Sequence, residues 1–282
     1  MALNMMYITN DPDVAVIAER YGVDRIWVDM EFIGKRLRQG SMDTVQSHHT
    51  IEDIRTIRAA VQRSEVLVRI NPIHAATKDY GSSVWEIDAA IEAGADVLML
   101  PYFKTVDEVR MFLALVHGRV KTMLLVETPE AVAVIDEILA LDGIDEIHIG
   151  LNDLSLGYGQ KFMFQLLADG TVERLCLKFR EKGIPYGFGG IAALGKGMLP
   201  AERVIREHYR LGSTRVILSR SFCNTSVVTN LNEIEEIFRT GMAEIRSLEK
   251  ECDFYARYFW DNRAAVEQGV AQICASIEEK NR

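Results

Sequence analysis

Short β-branched or apolar runs alternate with amphipathic stretches along most of the chain, the pattern of a parallel sheet whose strands are joined by crossover helices. Eight such runs stand out, at residues 5–8, 25–31, 66–71, 97–101, 122–127, 146–150, 186–189 and 215–219. Cap signals frame the helices between them: Asp11 ahead of residues 14–21, Thr105 ahead of 106–116, and Pro129 opening 130–141. Gly22, Gly94, Gly118, Gly143, Gly183 and Gly212 each fall a few residues before the next run, where a helix closes in a left-handed turn. Eight strands spaced by roughly 20–30 residues predict a closed (β/α)8 barrel, the TIM-barrel architecture, because open doubly wound sheets more often stop at about five or six.

Two segments depart from this rhythm. Residues 32–47, FIGKRLRQGSMDTVQS, are polar and basic, with Lys35, Arg36 and Arg38 against the single acid Asp43. They read as a loop inserted after the second strand and lying over the barrel mouth. Residues 227–282 follow the last strand and supply about two further helices, with Phe254, Tyr255, Tyr258, Phe259 and Trp260 crowded into one stretch. The expected organisation is therefore a catalytic barrel over residues 1–226 and a helical extension over 227–282, packed on the barrel or on a neighbouring subunit of a homo-oligomer.

Composition narrows the class of partner. With 282 residues, 48% of them hydrophobic, the chain can bury the core of one complete barrel. A formal charge of −9 argues against binding to a phosphate backbone, so no nucleic acid is expected. Four cysteines without CxxC spacing read as reduced thiols, and neither an amino-terminal signal pattern nor a long apolar span points to a membrane. A cytoplasmic location is the expectation.

Barrel enzymes place their chemistry where strands end. The third run ends LVRINP, the fifth LLVETPEA and the sixth IHIGLNDLS, delivering Arg69, Glu127 and Asp153 at the close of otherwise apolar segments. An unpaired charge there would cost several kcal/mol, so each needs a partner. One solution is a hard divalent cation, Mg²⁺ or Mn²⁺, shared by the two carboxylates; the plain alternative is a structural Arg–carboxylate bridge across the barrel. After the last strands, Gly189 and Gly190 in GFGGIAALGKG and Ser219 and Arg220 in SRSF form a candidate substrate-binding group for a phosphorylated or sugar-acid ligand, although the glycines alone would also serve a tight turn. Lys104 in PYFKT lacks the apolar surroundings of a Schiff-base lysine. His74, His117, His148 and His208 read as core or surface histidines.

The segments GVDRIWVDME, LVRINP and LLVETPEAVAVIDEILALDGIDEIHIGLNDLSLGYG resemble the metal-dependent pyruvate aldolases of the HpcH/HpaI family, within the citrate lyase β-subunit and phosphoenolpyruvate superfamily. The resemblance covers roughly residues 21–222. It implies that Glu127 and Asp153 are metal ligands, that Arg69 grips a 2-oxo acid and its enolate oxygen, and that the partners are a small 2-oxo acid and an aldehyde. The family's general base is a His just after the second strand, where this chain has Phe32. HHTIEDIRTI resembles the stretch that begins with that His, so His48 or His49 becomes the candidate base at the far end of the insertion. Thr50 following them also reads as a helix cap, in which case both are ordinary surface histidines. The expected activity is a class II carbon–carbon lyase. A lyase acting on a CoA thioester, or a catalytically silent barrel that binds a small acid, are the alternatives.

Overall fold

The structure, a computed structural model, describes residues 2–34, 49–254 and 257–280, with the backbone alone at 253, 254, 257 and 258. Parallel strands follow one another in chain order around a closed barrel: β1 (Asn4–Ile8), β2 (Arg25–Asp29), β3 (Glu65–Arg69), β4 (Val97–Leu100), β5 (Lys121–Val126), β6 (Glu146–Ile149), β7 (Tyr186–Ile191) and β8 (Arg215–Leu218). This is the (β/α)8 fold that the alternation predicts, each strand lying within two residues of its expected run. Most of the expected carboxyl ends run one or two residues too far: ladder pairing between β2 and β3 stops at Asp29 and Arg69, and the residues after them belong to the loops. Residues 35–48, which contain most of the basic insertion and His48, lie outside the described residues, as do the side chains of Phe254, Tyr255 and Tyr258.

The helices are α1 (Pro12–Arg20), α2 (Ile51–Ala60), α3 (Ser83–Glu92), α4 (Val106–Val116), α5 (Pro129–Ala133), α6 (Ile135–Ile138), α7 (Leu151–Gly157), α8 (Gln165–Ala168), α9 (Thr171–Glu181), α10 (Ala201–Leu211), α11 (Leu231–Phe254) and α12 (Arg257–Lys280). The predicted caps are in place. Asp11 accepts the N–H groups of Asp13 and Val14, and Thr50 and Thr105 each close a capping box, with Asp53 and Glu108. The single helix expected over 130–141 is two short ones, interrupted at Val134, whose φ of −107° and ψ of 18° leave the helical range. Gly94 shows why the closing glycines are needed: its φ is +106°, and a Cβ there would lie 2.7 Å from Arg58 Cγ.

The chain divides into two compact units, Met6–Glu146 and Met1–Met5 with Ile147–Arg282. In the first, β2 and β3 pair from Arg25↔Glu65 to Asp29↔Arg69, and β3 to β5 continue the register through Met99 and Met123. The start of these strands is charged. Arg25, 1% exposed, donates to Glu65 through Nε at 2.7 Å and to both oxygens of Glu146. Burial opposes its charge, but the two carboxylates outweigh burial and raise the Arg25 pKa.

In the second unit, Ile147 pairs with Tyr186 and Ile191 with Leu218, with a bulge between Gly187 and Gly190. Helices α11 and α12, which fall in the 227–282 segment, pack on α10 of this unit, and α12 also on α8. Buried Asn262 ties α12 to α10 by donating to Glu207 Oε1 at 2.9 Å and to the Arg203 carbonyl at 3.0 Å. Trp260, on the same helix, is exposed. No described helix is long and apolar enough to cross a membrane.

Candidate active site

Arg69 closes β3 beside its register partner Asp29, which closes β2. Its guanidinium makes a two-point pair with that carboxylate, Nε to Oδ1 at 2.8 Å and Nη2 to Oδ2 at 2.7 Å, and Nη1 lies 3.4 Å from Glu31 Oε2. Below it, the Trp27 ring centroid is 5.0 Å from the guanidinium carbon, within cation–π range. Asp29 and Glu31 are 2% and 1% exposed, so Arg69 balances two buried acids in the first unit. Burial works against its positive charge, but Asp29, Glu31 and Glu127 together raise its pKa above the ordinary arginine value. Arg69 is thus a permanent cation held in one orientation.

Glu127 follows β5 and is 3% exposed. Its Oε1 accepts the backbone N–H of Tyr102 at 2.9 Å, and Tyr102 takes a φ of +48°, a left-handed conformation unfavourable for a side chain of its size. Thr128 fixes the other flank. Its hydroxyl donates to the Phe103 carbonyl at 2.8 Å and accepts the Ala131 N–H at 3.1 Å, capping α5. The loop after β4 and the turn after β5 therefore orient the Glu127 carboxylate, and the field of Arg69 reaches it.

Asn71, two residues past β3, anchors the root of the insertion. Its Oδ1 accepts the N–H groups of Phe32 and Ile33, each at 2.9 Å, and its Nδ2 donates to the Met30 carbonyl and to Glu86. His49, half-buried at the insertion's far end, accepts the Asp29 N–H on Nδ1 at 2.9 Å. The two ends of the insertion are thus fastened beside the Asp29–Arg69 pair. With the Nδ1 lone pair engaged, a neutral His49 ring carries its proton on Nε2 and presents a donor.

The second unit holds the remaining candidates. Asp153 is half-buried in the first turn of α7, a helix seated by buried Leu151 and Leu154. Gly189 lies in β7 with φ +53°, and a Cβ on it would come 2.6 Å from Leu151 Cδ1, so this glycine admits the close approach of α7. Gly190 packs against Ile217, where an added Cβ would meet the Ile217 carbonyl oxygen at 3.3 Å. Both glycines thus have a packing reason. Ser219 donates its N–H to Ile191 and its hydroxyl oxygen accepts the Ser221 N–H at 3.2 Å, while Arg220 is exposed.

Sequence reasoning missed Asp29, Glu31, Tyr102 and Asn71. A signal existed for the two acids, because they end the second run just as Arg69 ends the third. Lys104 is exposed and bonded to Glu130 at 2.8 Å, which raises its pKa, the opposite of what a Schiff-base lysine needs. His148 and His208 are core histidines.

Among the described residues no group of three or more His, Cys, Asp or Glu is gathered for a metal ion. Each unit holds an oxygen donor of the kind a hard cation takes: in the first, the buried Glu127 carboxylate, whose Oε1 accepts the Tyr102 N–H, and in the second, the Asp153 carboxylate in the first turn of α7.

The profile of the HpcH/HpaI aldolase/citrate lyase family matches residues 3–165. A hydroxypyruvate/pyruvate aldolase from Sagittula stellata is 29% identical over an alignment of 103 residues that covers 26% of this chain and 41% of that protein. The chain thus spans about two-fifths of that relative's length. Crystal structures of HpcH/HpaI family proteins from Burkholderia cenocepacia and Desulfitobacterium hafniense share the fold. Each has a TM-score of 0.61 at 17% identity over 83% of this chain, covering 95% and 93% of the other. The match to the profile extends over more than half of the 282 residues, and the chain belongs to the HpcH/HpaI aldolase/citrate lyase family.

Proposed function

We propose that this protein is a divalent-metal-dependent carbon–carbon lyase that makes or breaks the bond between a pyruvate-like 2-oxo acid and an aldehyde. The observation that carries the reading is the constellation at the ends of β2, β3 and β5. There a permanently charged Arg69, immobilised by Asp29 and Glu31, lies within electrostatic reach of buried Glu127.

Glu127 and Asp153 would hold the cation, which when bound supplies electrophilic stabilisation of negative charge on the ketone oxygen. Arg69 offers the N–H groups that its two-point pair with Asp29 leaves over, on Nη1 and Nη2, to an oxygen of the 2-oxo acid; the guanidinium is already ordered, so binding costs little reorganisation. His49, neutral with its proton on Nε2, serves as a hydrogen-bond donor to a substrate oxygen, a role a neutral imidazole can fill without giving up the proton. His48, its neighbour in the sequence, is the proposed base that takes the proton from the donor methyl or from the aldol hydroxyl.

Hydrogen–deuterium exchange at the pyruvate methyl, followed by NMR with Mg²⁺ or Mn²⁺, tests this reading without knowledge of the aldehyde. Exchange should require the metal and be abolished in Glu127→Gln and Asp153→Asn. Full exchange in either variant, or none in the wild type with any divalent metal, refutes it.

A further inference from the structure

A recess of about 390 Å³ opens in the second unit at the carboxyl ends of β7 and β8, and none of the residues given a catalytic role above lines it. Its rim carries Lys196 from the loop after β7 and Arg220 from the loop after β8. Phe222, Val227, Val228 and Ile237 supply its apolar lining. No carboxylate lines it among the described residues, although the chain as a whole carries a formal charge of −9. The Lys196 ammonium makes no ion pair among the described residues.

The walls are fixed before any ligand arrives. Phe222 is 2% exposed and lies so close to Gly241 of α11 that a Cβ there would be 2.7 Å from the ring, and it meets Phe238 edge-on at 5.3 Å. Its N–H donates to the Ser219 carbonyl at 2.8 Å, and the Val227 and Val228 N–H groups both donate to the Asn224 carbonyl. Gly197, beside Lys196, has φ +93° and no room for a Cβ against the Leu199 carbonyl. Val227 nevertheless leaves 75% of its surface exposed at the rim. A recess whose lining combines two cations with uncovered hydrocarbon is matched by a ligand that combines an anion with an apolar body.

We propose that this recess binds an anionic group, a carboxylate or a phosphate monoester, carried on a small apolar body. Lys196 and Arg220 take the anion, and Phe222, Val227 and Ile237 cover the apolar part. The recess shares Arg220 with the substrate-binding group expected from the sequence, while Gly189, Gly190 and Ser219 do not line it. The assignment does not depend on the lyase reading.

The test is calorimetric titration of the full chain, with and without Mg²⁺, using inorganic phosphate, phenyl phosphate, benzoate and neutral benzyl alcohol. Phenyl phosphate or benzoate should bind at least ~10-fold tighter than benzyl alcohol, and phenyl phosphate tighter than inorganic phosphate. The tighter of the two aromatic anions identifies the head group. Lys196→Gln and Arg220→Gln should each weaken the preferred anion several-fold at unchanged Tm, and Val227→Asp should weaken it as well. Binding seen only with Mg²⁺, equal binding of benzyl alcohol and the anions, or variants that bind like the wild type would overturn the proposal. Methyl exchange in pyruvate is a separate measurement, so the failure of one reading leaves the other standing.

Discussion

Asp29 and Arg69 are register partners on adjacent strands, and their side chains meet in a two-point ion pair of 2.8 and 2.7 Å with both groups largely removed from water. Removing one member leaves the other buried without its main partner, a change that typically costs about 3–5 kcal/mol, whereas replacing both by apolar groups is often nearly neutral. Asp29→Asn is therefore expected to destabilise strongly in urea denaturation. The triple variant Asp29→Leu, Glu31→Gln and Arg69→Met, which removes both acids that Arg69 balances, should recover much of that loss while showing no pyruvate exchange. A triple variant as unstable as Asp29→Asn would mean that the cluster contributes to folding beyond charge balance.

Tyr102 is the strained residue that presents its N–H to Glu127. Glycine reaches a φ of +48° without steric cost, whereas a β-branched side chain there costs on the order of 1–2 kcal/mol. Tyr102→Gly should therefore fold about as stably as the wild type and keep its metal response, while Tyr102→Val should lose stability and need more Mg²⁺ for half-maximal exchange. Equal Mg²⁺ requirements in wild type and Tyr102→Val would separate this backbone turn from the Glu127 carboxylate.

The barrel was legible because burial imposes it: runs such as residues 97–101 and 123–126 are apolar throughout, unlike a strand with one face in water, and the turns between them need glycine or a cap. Arg69 and Glu127 were legible for the converse reason, since a charge closing an apolar run demands an explanation. The identity of the partner was not. Nothing local in the sequence says that Arg69 turns to Asp29 and Glu31, because cross-strand register is set by the whole sheet. Gly189 illustrates the opposite failure. A glycine that looks like a ligand contact is required by Leu151, 38 positions earlier, which only the packing of α7 on β7 reveals.

His208 offers a stability test in the second unit. It is fully buried, stacked on Phe188 at 3.8 Å and bonded through Nδ1 to the Ser213 hydroxyl at 2.7 Å. Burial, with a smaller contribution from His148, pushes its pKa well below 6.5. The unfolded chain therefore binds the proton first as pH falls. The stabilisation is complete above pH 6.5 and is lost as pH drops from there toward the folded pKa, with a limiting slope of about 1.4 kcal/mol per pH unit. His208→Asn should be less stable at every pH but show a shallower decline between pH 6.5 and 5 in urea titrations, a window chosen on the order of one to two units below the reference value. Parallel curves for variant and wild type would assign the acid sensitivity elsewhere.

His49 is where the geometry departs from the role expected of a histidine in this position. The Asp29 N–H occupies Nδ1 at 2.9 Å, so the ring can accept a further proton on neither nitrogen without breaking that bond or changing tautomer. A donor role and a base role make different predictions. If Nε2–H only donates to a substrate oxygen, His49→Gln keeps an N–H at similar reach and should hold exchange within about 10-fold of the wild type. His49→Phe, which keeps bulk but no donor, should lose about 10²–10³-fold, the loss typical of removing one oxyanion donor. The basic shape of the pH–rate profile should survive in His49→Gln, and the limb reporting the base should vanish in His48→Asn instead. Loss of that limb in His49→Gln, together with activity as low as in His49→Phe, would make His49 the base and require the Asp29 N–H to let go of Nδ1 during turnover.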